Sequence, residues 1–145
     1  MGLVGYELQA ITKLPIIHIV VETAKAVKKQ GLKKVGLLGT TFTMEMDFYR
    51  NKLEEYGLDV LIPEKQETRD YIQYTLKEEL GIGFINPQTK DNYISIATEL
   101  AKRGAECIIL GCTEIPMLIS QSDFEIPIFD TTKIHSQAIL EFIVS

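Results

Sequence analysis

The segment Ile108-Ile109-Leu110-Gly111-Cys112-Thr113-Glu114-Ile115-Pro116 carries the strongest chemical signal in the chain. An apolar, β-branched run predicts a strand, and the thiol of Cys112 is delivered to its carboxyl end, where α/β sheets hold their ligands. Pro116 predicts the first turn of a short helix, whose free N–H groups and dipole lower the pKa of a nearby thiol. Gly111 permits close approach by a substrate, and Thr113 and Glu114 are within local reach to orient the sulfur. The competing reading is a small buried cysteine, which is what most free cysteines are. Cys107, five residues earlier and mid-strand, is predicted to be core.

Two further segments could join it. Val35-Gly36-Leu37-Leu38-Gly39-Thr40-Thr41-Phe42-Thr43 reads as a strand running into a helix N-terminus, where backbone amides and three hydroxyls could hold a carboxylate or phosphate. It lacks the Gly-Lys-Ser/Thr of a phosphate loop and the Gly-x-Gly-x-x-Gly spacing of a dinucleotide fingerprint. Its alternative role is helix capping by Thr41 or Thr43. Phe129-Asp130-Thr131-Thr132-Lys133-Ile134-His135 places an acid, hydroxyls and an imidazole just past another strand. His135 gains interest because its strand should neighbour that of Cys112, whereas His18 in an apolar run reads as structural. Two cysteines and two histidines show no paired zinc spacing, so no metal site is expected.

The elements that must position these residues follow a β/α alternation, the pattern of a parallel α/β sheet. Strands are predicted at Pro15–Val20, Lys34–Leu38, Leu58–Ile62, Glu106–Leu110 and Ile126–Phe129. A helix over Glu22–Gln30 is closed by Gly31. Met46, Tyr49, Leu53 and Tyr56 form one helical face ending at Gly57, and Ile72, Leu76 and Leu80 another ending at Gly81. Asn86-Pro87 opens a helix with the buried stripe Ile94, Ala97, Leu100, Ala101, and Lys133–Val144 closes the chain.

The composition bounds the function. In 145 residues, 46% are hydrophobic and 24% charged, which predicts a soluble globular domain able to fold without metal or disulfide. A net charge of −5 argues against a nucleic-acid or anionic-membrane binder. No apolar run approaches a membrane span, no basic leader opens the chain, and the free cysteines fit the reducing cytoplasm. Leu14-Pro15-Ile16-Ile17 echoes Ile126-Pro127-Ile128-Phe129. Cys112 stands 15 residues before Pro127, and the same count back from Pro15 falls just off the chain. If the copies are halves of a duplicated fold, the first partner of Cys112 is absent.

Together the three segments resemble the aspartate/glutamate racemase family. The resemblance rests on Val35 to Thr40 with Thr43-Met44-Glu45 and Asp47-Phe48-Tyr49, on Gly104 to Pro116, and on Phe129-Asp130-Thr131 with Ile134-His135. It implies a cofactor-independent racemase of two similar α/β lobes with an acidic amino acid between them. One thiolate removes the Cα proton and an opposing thiol returns one. Carried over, Cys112 is the acid/base of the C-terminal lobe, supported by Glu114 and His135. Gly39, Thr40, Thr43 and Thr113 bind substrate. The family's N-terminal lobe, with its Gly-rich opening strand and Cys-Asn-Thr segment, is not matched. Residues 1–30 are then expected to be the remnant of that lobe and its crossover, 31–131 the C-terminal lobe, and 132–145 a helix that would pack on the other lobe. An apolar patch of Leu3, Val4, Ile11, Ile139 and Phe142 would drive homo-oligomerisation unless the missing lobe covers it. The resulting expectation is a racemase-like chain inactive alone; the alternative is a non-catalytic module binding an acidic amino acid or a partner chain.

Overall fold

A computed structural model describes residues 19–45 and 47–144, with side chains through Gln137. The expected strand residues Pro15–His18, the remnant over residues 1–18, Met46, and the patch of Leu3, Val4, Ile11, Ile139 and Phe142 lie outside the described residues or side chains. The first described element is a helix, α1, over residues 19–29. Ile19 and Val20 are therefore helical, where the β-branched run predicted a strand. Val20, Ala24 and Val27 are all fully buried on one stripe. Their spacing of four and three is the helical period, and burial of that stripe outweighs the local preference of single residues.

Strand β1 (Lys34–Leu38) leads to two short helices, α2 (Thr41–Glu45) and α3 (Asp47–Glu55), and then to β2 (Asp59–Leu61). Helices α4 (Gln66–Glu78) and α5 (Pro87–Lys102) precede β3 (Cys107–Leu110), and β4 (Ile128–Asp130) runs directly into α6 (Thr131–Val144). The four strands form a parallel sheet in the order β2-β1-β3-β4. Alternate residues of β3 face opposite helical layers. Cys107 and Ile109 pack with Val20, Ala24, Tyr49 and Leu53, on the side of α1 and α3. Ile108 and Leu110 pack with Ile72, Leu76, Tyr93 and Leu100, on the side of α4 and α5.

The helix boundaries follow local chemistry. Asn86 Oδ1 accepts the Gln88 N–H at 3.0 Å and Pro87 takes the first helical position, as the sequence predicts. Gly57 closes α3 at a φ of 82°, a left-handed conformation open to glycine without steric cost. Helix α4 ends at Glu78, before the expected Gly81; a 3₁₀ turn over Leu80–Ile82 follows, and the left-handed residue is Gly83. Tyr93 anchors α5 under α4: its hydroxyl lies 2.6 Å from Thr75 Oγ1 and donates to the Ile72 carbonyl at 3.2 Å.

Among the described residues β4 is an edge strand, and its outer side is covered by a side chain. Gln121 Nε2 donates to the Ile126 carbonyl at 2.9 Å, and Gln121 Oε1 accepts the Ile128 N–H at 2.7 Å. Among the described residues no helix is long and apolar enough to cross a membrane.

Candidate functional site at the strand switch

The strand order places the site. The chain leaves β1 toward β2 on one side and later returns to β3 on the other, so a topological switch lies between β1 and β3. Ligands of open α/β sheets bind at the carboxyl ends of strands at such a switch. Leu38 and Leu110 are register partners at those ends, and the Gly111 N–H donates to the Leu38 carbonyl at 2.8 Å. The segments Gly39–Thr43 and Gly111–Glu114 therefore leave the sheet side by side.

Thr43 is wedged between them. A Cβ built on Gly39 would lie 3.0 Å from Thr43 Cγ2, and one on Gly111 would meet the same methyl at 3.0 Å and the Leu38 carbonyl oxygen at 3.2 Å. Two glycines thus let two loops close on one threonine. The cap of α2 is Thr40, not Thr41 or Thr43: Thr40 Oγ1 accepts the Thr43 N–H at 3.2 Å, and its carbonyl accepts that of Met44 at 3.0 Å. The Thr40 and Thr43 hydroxyls are 3.1 Å apart. The Thr41 N–H donates instead to Gln73 Oε1 of α4 at 2.7 Å. Sequence reasoning missed Gln73, because it lies 32 residues away on a separate helix. Thr43 is only 8% exposed, so its methyl and hydroxyl support Thr40 as much as they face outward.

Cys112 is half-buried against the α4–α5 side of the core, and its thiol donates to Glu114 Oε2 at 2.8 Å. Burial, followed by that hydrogen bond to the carboxylate, pushes the thiol up to about 11. The N–H groups of Glu114 and Thr113 pull in the opposite direction, as amides at a helix start do, but they are outweighed. The sequence expectation of a lowered thiol pKa is therefore corrected. The helix at Pro116 is a single 3₁₀ turn over Ile115–Met117, too short to build a useful dipole. The partner responds with the opposite sign: the Cys112 thiol, then the Thr113 hydroxyl, hold Glu114 below the usual carboxylate range. Cys107 is fully buried, and burial raises its thiol to about 12.

Asp130 Oδ1 accepts the N–H groups of Thr132 and Lys133 at 3.0 and 3.2 Å, so this acid caps α6. The strands of Cys112 and His135 are neighbours as expected, β3 pairing with β4. His135 is half-buried in the second turn of α6. A cleft of about 370 Å³ opens along β4, lined by Leu110, Pro116, Ile128, Asp130, Lys133 and Gln137 among others. None of the predicted site residues lines it, so this cleft and the chemistry do not coincide. The switch is instead rimmed by exposed apolar side chains. Phe42 is 57% exposed beside Thr43, and Met117 is 53% exposed after the Cys112 loop. Ile82, Phe84 and Ile85 are also exposed, in the loop leading to α5.

This constellation has relatives. A family model for Asp/Glu/hydantoin racemases matches residues 3–139. The chain belongs to this family. It is 30% identical over 118 residues to a glutamate racemase of Aquifex pyrophilus, covering 79% of this chain and 43% of that protein. It is 26% identical to the broad-specificity amino-acid racemase RacX of Bacillus subtilis, over 87% of this chain and 53% of the relative. Among solved structures, a candidate Asp/Glu racemase from Yersinia pestis superposes with a TM-score of 0.84 at 39% identity, covering 89% of this chain and 56% of that one. An aspartate racemase homologue from Pyrococcus horikoshii gives 0.80 at 37%, covering 88% and 55%. The chain thus spans about half the length of these racemases.

Proposed function

We propose that this chain supplies one half of a cofactor-independent racemase site for an acidic amino acid, with Cys112 as its acid/base. The observation that carries the reading is the thiol–carboxylate pair at the strand switch, 2.8 Å apart, in a chain of racemase family. In one direction Glu114 takes the thiol proton, and the thiolate forms an S–H bond with the substrate's Cα hydrogen. The electron pair released at Cα spreads into the substrate carboxylate. In the other direction the thiol returns its proton to the Cα carbanion, and Glu114 gives the proton it holds back to the resulting thiolate. Thr40, Thr43, Thr113 and the amide of Gly39 would hold the substrate carboxylate and stabilise the carbanion, with His135 as support.

One thiol reaches one face of the substrate carbon. Inversion needs a second acid/base on the opposite face, and the described residues offer Cys112 alone at the switch. The partner group would come from a second lobe or another chain seated on the apolar rim, in a cytoplasmic setting that keeps both thiols free. Alone, the chain should exchange the Cα hydrogen without inverting the centre. A second reading, binding without turnover, draws on the high thiol pKa, which leaves Cys112 protonated at neutral pH.

The test is incubation with L- and D-aspartate and glutamate in D₂O, following Cα–H by NMR and configuration by circular dichroism. Slow deuteration with retained configuration, lost in Cys112→Ser, supports the half-site. Sustained inversion that disappears in Cys112→Ser would show that a single lobe suffices and would sink the half-site mechanism. Saturable binding with no exchange would favour the binding module.

A further inference from the structure

We propose that Thr131 is a positioning residue for Cys112, acting through the peptide plane between Leu110 and Gly111. The inference rests on reading Cys112 as the proton-transferring thiol. Thr131 is the first residue of α6 and is 4% exposed. Its hydroxyl donates to the Leu110 carbonyl at 2.9 Å, and the N–H of the same peptide unit, that of Gly111, donates to the Leu38 carbonyl at 2.8 Å. A peptide unit is planar, so fixing its carbonyl from one side and its N–H from the other fixes the whole plane. Cys112 is the next residue but one after Leu110, so the loop that carries its thiol sets out from that plane.

The hydroxyl acts where the ladder ends. Leu110 and Asp130 are the last register pair between β3 and β4. In a continuing parallel ladder the Leu110 carbonyl would accept the backbone N–H of residue 131. The chain turns into α6 at that residue, and its side-chain hydroxyl gives the Leu110 carbonyl a donor from the helix start as well. Gly111 completes the arrangement, because a side chain there would strike Thr43 and the Leu38 carbonyl. Thr131 is thus tied to Leu110, two residues before Cys112, across 21 residues of sequence by one hydrogen bond. It touches no reacting atom; it sets where the thiol stands relative to Glu114.

Thiol chemistry reads this without substrate. Among the described residues, the titratable groups that act on Cys112 are Glu114 in its own loop and Tyr93 on α5, and neither is altered by changing Thr131. In Thr131→Val the alkylation rate of Cys112 at pH 8, measured peptide by peptide by mass spectrometry, should rise about three- to tenfold, with the midpoint of its pH profile falling by up to about one unit. Thr131→Ser keeps the hydroxyl and should restore the parent profile. If Thr131→Val does not fold, Thr131→Ala removes the same donor without the second methyl and is read the same way. A lower melting temperature with an unchanged Cys112 profile would overturn the proposal and leave Thr131 a structural residue. So would a serine variant that behaves like valine. Loss of Cα–H exchange is a separate readout: absent exchange in the parent chain with an intact Thr131 effect would remove the racemase reading and keep the positioning one.

Discussion

Cys107 and Cys112 sit five residues apart on one strand and its outgoing loop, yet the fold treats them as different chemical objects. Cys107 faces the layer of α1 and α3 with no exposed surface, and its thiol is raised mainly by burial. Cys112 faces the other layer, is half-buried, and carries a carboxylate on its S–H. Both thiols titrate high, for causes that a single substitution can separate. A shifted pKa in this strand therefore says little until its cause is named. Desolvation alone marks a packed residue, whereas a hydrogen-bonded carboxylate marks a pair that can exchange a proton.

The contrast is broken most directly by native-state alkylation. Cys112 should react at least about a hundredfold faster than Cys107, whose modification requires an opening that approaches global unfolding. Equal rates would erase the distinction. Next in size is stability: Cys107→Ser puts an unpartnered hydroxyl into the core and should cost about 1–3 kcal/mol in denaturant unfolding. Cys112→Ser should stay within about 0.5 kcal/mol, as at other partly exposed positions. Glu114→Gln sharpens the comparison, because removing the carboxylate charge should lower the Cys112 pKa and speed its alkylation at pH 8.5 about three- to tenfold while leaving Cys107 unchanged. A further comparison is pH dependence. Both thiols bind their protons more tightly in the fold than at the ordinary value of 9.0, so their contribution is intact below that pH and is lost as pH climbs toward about 11 and 12. Tyr49, raised to about 12, adds in the same direction. Thermal melts from pH 7 to 10.5 should fall along this limb, and less so in Cys107→Ala.

Much of this arrangement was legible in the residues, and the illegible part has a common cause. The strands at Lys34 and Cys107, the cap at Asn86 and the stop at Gly57 are local, set by β-branched runs, an amide side chain and a positive φ. The pairing of Gly39–Thr43 with Gly111–Glu114 follows once the strand order is known. What the sequence hid are contacts across long separations: Gln73 on the Thr41 amide, Thr131 on the Leu110 carbonyl, and the burial that reverses the sign at Cys112. A helix start beside a cysteine is visible in one dimension. Whether its amides win against desolvation and a neighbouring carboxylate is decided only by three-dimensional packing. The helix α1 shows the same limit from the other side: the four-and-three spacing of Val20, Ala24 and Val27 was readable, but the β-branched residues before it pointed toward extended chain.

The carboxamide of Gln121 has a consequence for the molecule in a crowded solution. A strand edge offers alternating donors and acceptors that template the next strand, the first step of cross-β growth. At β4 the pair an incoming strand would use, the Ile126 carbonyl and the Ile128 N–H, is already matched by one planar amide with the same donor–acceptor order. Among the described residues the sheet thus ends in a side chain that imitates a peptide bond, and this should disfavour amyloid-type stacking of the apolar Ile-Pro-Ile-Phe run at that edge.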